Sequence, residues 1–407
     1  MKRMNNNMDF SSWPSFTEFE ANKAKDILLS NKVNYWTGTE CRSFEKEFAQ
    51  YTDCSYAVAV SNGTLALDLA FAALGINNGD EVIVTSRTFL ASVSSIVNCG
   101  AVPVFVDIST DTQNITPEAI SAAVTQKTAA IVCVHLAGWA CEMDEIMQIA
   151  SDNDLFVVED CAQAHGAKYK GRSVGSIGHV GCWSFCQDKI MTTGGEGGMV
   201  TTNDENLWKK MWSYKDHGKS YDAIYHKEHP PGFRWLHESF GTNWRMTEIQ
   251  GAIGRYQLTQ MPLWTQKRND NQNAIWECAK ILNGLRVPHF KCSACPGCDK
   301  TSKCVHAAYK CYLFVENDLL NEGWDRDRII DEVIKAGVPC FSGSCSEVYL
   351  EKAFDNTNYR PKERLPVAKE LGDTSLMFLV HPTLTEEEIK LTCSVLYEVM
   401  HLAAKQD

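Results

Sequence analysis

The chain has 407 residues and 45.6 kDa, more than one core of about 100 to 200 residues accounts for, which predicts one large and one smaller domain. With 44% hydrophobic, 22% charged and 10% aromatic residues, the composition excludes collagen, coiled coil and wholesale disorder. Lys plus Arg number 39 against 51 Asp plus Glu, a formal charge of −12 with no run of like charges, and this argues against a nucleic-acid partner.

In chain order, the N-terminal stretch MKRMNNNMDFSSWPSF lacks the apolar core of a signal peptide. No segment approaches the roughly 20 apolar residues that cross a bilayer, so a cytoplasmic protein without membrane contact is expected. Many of the 17 cysteines lie in apolar segments (Cys99, Cys133, Cys161, Cys182) and are expected as free thiols. From about residue 56 to 202, β-rich runs (YAVAVS, EVIVTS, VPVFVDI, AAIVCVHL, LFVVED, GCWSFC, GGMVTT) alternate with helix-like stretches. Most are apolar nearly throughout, the pattern of strands buried on both faces, so the expected fold class is α/β with a mainly parallel, helix-covered sheet. Ligands of such sheets bind at the carboxyl ends of the strands. Beyond a Trp- and Lys-rich helix (DENLWKKMWSYKDHG) and the helical run MTEIQGAIGRYQLTQM, the chain changes character near Met261 and Pro262. The boundary is therefore expected there, with a large domain over residues 1–262 and a smaller α+β domain over 263–407. In the smaller domain CYLFVEN reads as a strand, and DRDRIIDEVIKAG and EEEIKLTCSVLYEVMHLAAK as helices.

Three local patterns carry chemistry. In FVVEDCAQAHGA a strand delivers Asp160 to the sheet's carboxyl edge, with Gln163 and His165 in the following turn; alone, Asp160 is equally readable as a helix cap. In GCWSFCQDKIMTTGGEGGMV, Lys189 sits among Trp183, Phe185, Ile190 and Met191 ahead of four glycines, a backbone shaped for close approach. A lysine so held can take a lowered pKa and form an imine with an aldehyde. In VAVSNGTLALDLAFAAL a strand, then Ser61, Asn62, Gly63 and Thr64, lead into an amphipathic helix; its N-terminal N–H groups suit a phosphate, and a plain Ser/Thr cap is the alternative. Together, imine-forming lysine, strand-end carboxylate and phosphate cradle match what pyridoxal 5′-phosphate requires.

The segments SNGTLALDLA, EVIVTSRTFLAS, VPVFVDI, VHLAGW, VEDCAQAHGA, WSFCQDKIMTTGGEGGMV, GTNWRMTEIQGAIG and HPTLTEEEI resemble the DegT-type family of pyridoxal-phosphate-dependent sugar aminotransferases, in order from about Trp36 to the C-terminal helix. The resemblance implies the fold type I aminotransferase architecture, a homodimer with shared active sites, glutamate as amino donor and a nucleotide-linked ketosugar as acceptor. It further implies Lys189 as the Schiff-base lysine, Asp160 as partner of the pyridine nitrogen, and Gln163 near the phenolic oxygen. Phe89 is implied to stack on the ring, Gly63, Thr64 and Ser184 to hold the phosphate, and Asn243 to enter from the neighbouring subunit. His306 and Tyr309 are implied at the substrate. Members with histidine in place of the lysine dehydrate their sugar, and Lys189 argues against that variant. The best single expectation is amination at carbon 4 of dTDP-4-keto-6-deoxyglucose. A carbon-3 ketone, a UDP-linked sugar and a cyclitol ketone keep the same catalytic residues. A sugar dehydratase and a non-enzymatic metal-binding or regulatory protein are the rivals from other classes. Trp139, Arg87 and Cys345 are expected to shape the sugar pocket. Cys292, Cys295, Cys298 and Cys304 have spacing that can bind zinc or an iron–sulfur cluster, but an exposed loop of reduced thiols is the favoured reading and no metal is assigned. Cys186 is a candidate reactive thiol, with a buried structural role favoured.

Overall fold

A computed structural model describes residues 9–228, 234–289 and 304–405. The seven apolar runs form strands β1 (Tyr56–Val60), β2 (Glu81–Thr85), β3 (Val102–Val106), β4 (Thr128–Val134) and β5 (Phe156–Asp160), then, after the short hairpin β6 (Lys168–Tyr169) and β7 (Arg172–Ser173), β8 (Val180–Ser184) and β9 (Gly198–Thr202). They make one seven-stranded sheet in the order β1-β9-β8-β5-β4-β2-β3. Strands β3, β2, β4, β5 and β8 run parallel, whereas β9 is antiparallel to both β8 and β1.

Alternate residues of each inner strand feed different cores. Ile131, Cys133 and Val157 enter a cluster with Phe44, Phe48, Trp183 and Phe185. Val132, Val134 and Val158 enter another with Leu67, Phe71 and Trp212. At about 1.5–3 kcal/mol per large buried side chain, two-sided burial explains why these strands are apolar throughout rather than alternating. The helix Gly63–Leu74, expected to be amphipathic, is instead buried around most of its girth: Ala66, Leu67, Leu69, Ala70, Phe71, Ala73 and Leu74 are all enclosed, because the helix packs on β8 and β9 and is itself covered by the helices Ala91–Asn98 and Glu205–Tyr214.

The second sheet joins β10 (Leu285–Arg286), β11 (Cys311–Val315), β12 (Cys340–Phe341) and β13 (Ser375–Phe378), all antiparallel, in the order β10-β11-β13-β12. The helices Arg326–Lys335 and Glu386–Ala403 share its core. Met261 and Pro262, where the boundary was expected, lie within the continuous helix Glu248–Ala279. That helix packs on the helices Glu18–Ser30 and Glu40–Tyr51 and also on Glu386–Ala403 and β11, so the chain passes between the two cores without a break at residue 262. Among the described residues no helix is long and apolar enough to cross a membrane.

Beneath the sheet's carboxyl edge, Glu159 organises the turn that leads into β8. Its carboxylate accepts from the N–H groups of Gly175 (2.8 Å), Ile177 (2.9 Å) and Gly178 and from His135 Nε2 at 2.9 Å. Because His135 Nδ1 accepts from the Cys141 N–H, Nε2 carries the ring proton. His135, Glu159 and Cys161 stand close enough to resemble a metal ligand set, but the imidazole and the carboxylate are already engaged. Burial would raise the Glu159 carboxyl's pKa; the His135 ring and the Gly175 and Gly178 N–H groups outweigh it and hold it below the usual carboxylate range. Glu159→Gln is expected to cost about 3 kcal/mol in urea unfolding at pH 7, since a neutral amide replaces a buried acceptor of four hydrogen bonds. A carboxylate with a depressed folded pKa contributes stability above its unfolded value of about 4.3 and loses it as pH falls, so the gap between wild type and variant should narrow below about pH 4.

Candidate active site

The ends of β5 and β8, the turn after β1 and the loop that leads into β9 converge on a cavity of about 1090 Å³ that also reaches the second sheet. Gly63, Thr64, Phe89, Asp160, Gln163, Ser184, Lys189 and Tyr309 all line it. The helix Gly63–Leu74 begins here, capped by Asn62, whose side chain accepts from the Leu65 N–H at 3.0 Å. The cap is thus neither Ser61 nor Thr64, and Thr64 stays at the cavity wall. A Cβ on residue 63 would stand 2.5 Å from the Ser184 Cβ, and one on residue 198 would stand 2.2 Å from the Asn62 carbonyl oxygen. Only glycines let the helix N-terminus close against the ends of β8 and β9, and the result is a cradle of backbone N–H groups beside the Ser184 hydroxyl.

Asp160 is buried at the end of β5. One carboxylate oxygen accepts from the Ser92 hydroxyl at 2.7 Å, and the other from the Ala162 N–H at 3.1 Å. Ser92 in turn shares a 2.8 Å hydrogen bond with Thr88. Gln163 Oε1 accepts from the Ala137 N–H at 2.8 Å, which fixes the amide's orientation and leaves its NH₂ as the group for the cavity. Phe89 presents a large apolar ring that is 71% exposed.

Lys189 is anchored through its backbone: its N–H donates to the Cys186 carbonyl at 3.1 Å and its carbonyl accepts from Trp13 Nε1 at 2.8 Å. Its Nζ lies 5.2 Å from the centre of the Tyr309 ring. The Tyr309 hydroxyl donates to Asp188. Burial would raise the Asp188 pKa, but the adjacent Lys189 ammonium, Tyr309 and Lys310 hold it below the ordinary range. Lys310, which the sequence reading passed over, also lines the cavity. Burial pushes its ammonium down to about 8, Asp188 opposing and Arg268 and Lys189 reinforcing the shift.

The structure brings only some of the remaining candidates to this cavity. His306 does not line the cavity: it is buried, its Nδ1 accepts from the Ala308 N–H at 2.8 Å, and its ring packs against Trp139 and Trp276. Burial pushes its pKa down to about 3, so it is neutral at pH 7. Trp139 is part of that packing and likewise does not line the cavity. Arg87 is fully buried, donating to Gln113 and Ser375 with its guanidinium over the Tyr312 ring, and does not itself line the cavity. Asn243 is exposed and is not brought to the cavity of its own chain; its backbone bridges to Asp216. Cys186 and Cys345 line the cavity, with thiol pKa values raised by burial, against a reactive role for Cys186. Cys292, Cys295 and Cys298 lie outside the described residues, while Cys304 Sγ accepts from the Lys170 N–H at 3.2 Å.

The sequence profile of the DegT/DnrJ/EryC1/StrS aminotransferase family matches residues 14–396. The GDP-perosamine synthase of Escherichia coli O157:H7 is 34% identical over 95% of this chain and 96% of its own length. Among solved structures, the aminotransferase from Psychrobacter cryohalolentis is 63% identical with a TM-score of 0.93, covering 97% of this chain and 99% of that one. S. venezuelae DesV, solved in complex with a ketimine intermediate, is 28% identical with a TM-score of 0.83 over 96% of this chain and 95% of its own. The chain therefore belongs to the DegT/DnrJ/EryC1/StrS aminotransferase family and is a pyridoxal-phosphate-dependent sugar aminotransferase.

Proposed function

We propose that this enzyme moves an amino group from glutamate to a keto-deoxysugar linked to a nucleotide. The observation that carries the reading is the convergence of one amine, one buried carboxylate and one glycine-lined helix terminus on a single cavity. Bound pyridoxal phosphate supplies an aldehyde carbon and an electron-withdrawing ring. The residues fit it: the Gly63 and Thr64 N–H groups and the Ser184 hydroxyl would hold the phosphate, Asp160 the protonated ring nitrogen, and the Gln163 NH₂ the phenolic oxygen, with Phe89 against the ring face. Lys189 would hold the aldehyde and, once displaced, take the proton from the donor's α-carbon as an amine and return it as an ammonium.

Asn243 would serve the cavity of a second copy. The exposed Trp235 (86%) and Phe240 (100%) on the same stretch support this, since large apolar side chains left in water favour a covering partner. The preferred acceptor is dTDP-4-keto-6-deoxyglucose, aminated at carbon 4, and the relatives named GDP-perosamine synthase bring GDP-linked sugars into the comparison. The test is a panel of dTDP-, GDP- and UDP-linked 4-keto and 3-keto sugars incubated with glutamate and read by product mass. One aminated product with equimolar 2-oxoglutarate is expected. A sugar that has lost a hydroxyl and gained no nitrogen would instead identify a dehydratase.

A further inference from the structure

The cavity wall carries two lysines, Lys189 and Lys310, and four carboxylates, Asp160, Asp188, Glu196 and Glu351. The Nζ atoms of Lys189 and Lys310 lie 5.2 and 5.0 Å from the centre of one ring, that of Tyr309. Arg268 is buried beside them: Nη1 donates weakly to the Tyr309 carbonyl at 3.4 Å, the guanidinium stacks on Trp13 at 4.9 Å, and Nε and Nη2 have no hydrogen-bond partner among the described residues. Asp188 is the acid facing this group, and its carboxylate already receives the Tyr309 hydroxyl. Asp160 is turned to Ser92 and Ala162. Burial lowers the Lys310 pKa first, Arg268 and Lys189 add to the shift, and Asp188 is the carboxylate that opposes it. An anion entering beside Lys310 would give this buried ammonium a partner besides Asp188.

We propose that Lys310 binds a carboxylate of the amino donor, an assignment that rests on the aminotransferase reading of this cavity. Three anions could compete for it. The cofactor's phosphate has its own cradle at Gly63, Thr64 and Ser184. The diphosphate of a nucleotide sugar hangs on the anomeric carbon, several bonds from the ketone that reacts. The α-carboxylate of an amino acid is bonded directly to the carbon whose proton Lys189 must reach. A cation that shares the Tyr309 ring with Lys189 therefore fits the donor better than the acceptor, and a charge-assisted contact there orients the α-carbon as well as binding it.

The test uses the pyridoxal-phosphate-loaded wild type, Lys310→Gln and Lys310→Arg. The half-reaction with glutamate, and that of the aminated enzyme with the accepted ketosugar, are followed separately by absorbance. Lys310→Gln is expected to lower kcat/KM for glutamate by about 30-fold or more, well beyond any loss with the ketosugar, while Lys310→Arg restores most of it. Glutarate, which has the carboxylates without the amine, should lose affinity by a similar factor in calorimetry. Equal losses in both half-reactions, a loss confined to the ketosugar, or unchanged glutarate affinity overturns the assignment. A loaded wild type whose spectrum glutamate leaves unaltered overturns instead the aminotransferase reading beneath it.

Discussion

Lys189→Ala is expected to abolish turnover, with kcat falling by roughly 10⁴-fold or more, because on the function proposed above the substitution would remove at once the cofactor's covalent anchor and the group that moves the proton. The fold should survive. The lysine's backbone contacts, to the Cys186 carbonyl and from Trp13 Nε1, do not involve its side chain, and Ile190 and Met191 keep this segment in the core. The loaded wild type should show a visible absorbance band that borohydride fixes to the protein; the variant should show pyridoxal phosphate that dialyses away. Lys189→Arg discriminates further. It keeps the charge beside Asp188 and Tyr309 but offers no deprotonated amine, so it should be as inactive as alanine. Retained turnover in either variant would mean that another amine, Lys310 being the one in the same cavity, does the work.

Much of this arrangement was legible in the chain itself, and the misses have physical causes. The seven strands of the large sheet were readable because two-sided burial turns each into a continuous apolar run. The direction of β9 was not, since antiparallel and parallel neighbours buried on both faces demand the same residues. The chain changes character near Met261 and Pro262, yet packing on the helices around them keeps Glu248–Ala279 continuous. Asp160, Gln163, Ser184 and Lys189 came together in one stretch of chain after strand ends, where the position along the sheet already tells which edge each reaches. The second-sheet contribution had no such guide. His306 and Tyr309 are three residues apart, but Ala308 adopts a left-handed backbone (φ 48°), so Tyr309 faces the cavity while His306 packs under Trp139. Lys310 gains its meaning only from Asp188, Lys189 and Arg268, distant in sequence. Ser92 and Thr88 were missed because a hydroxyl pair in a helix start reads as ordinary capping until the carboxylate it serves is placed.

Asp160→Asn should leave the protein folded and able to bind its cofactor, but lower kcat by on the order of 10³-fold. The side chains have the same size. Asn can still accept the Ala162 N–H through its single oxygen, and its NH₂ can donate to the Ser92 hydroxyl, which then turns toward Thr88. What is lost is a fixed negative charge, buried at the strand end where little water screens it. In the proposed role, loss of that charge would leave the ring nitrogen of the bound cofactor less able to keep its proton and would weaken the electron withdrawal that proton removal by Lys189 needs. The loss should fall on kcat in both half-reactions alike, since the same proton shift occurs in each direction, and this separates Asp160 from a residue that contacts only one substrate. Ser92→Ala offers a graded comparison. It removes the 2.7 Å donor but keeps the charge, so the carboxylate should be less well oriented, with kcat down by about tenfold. If Asp160→Asn and Ser92→Ala were equally mild, the carboxylate would be serving as a turn cap through Ala162 rather than as the cofactor's partner.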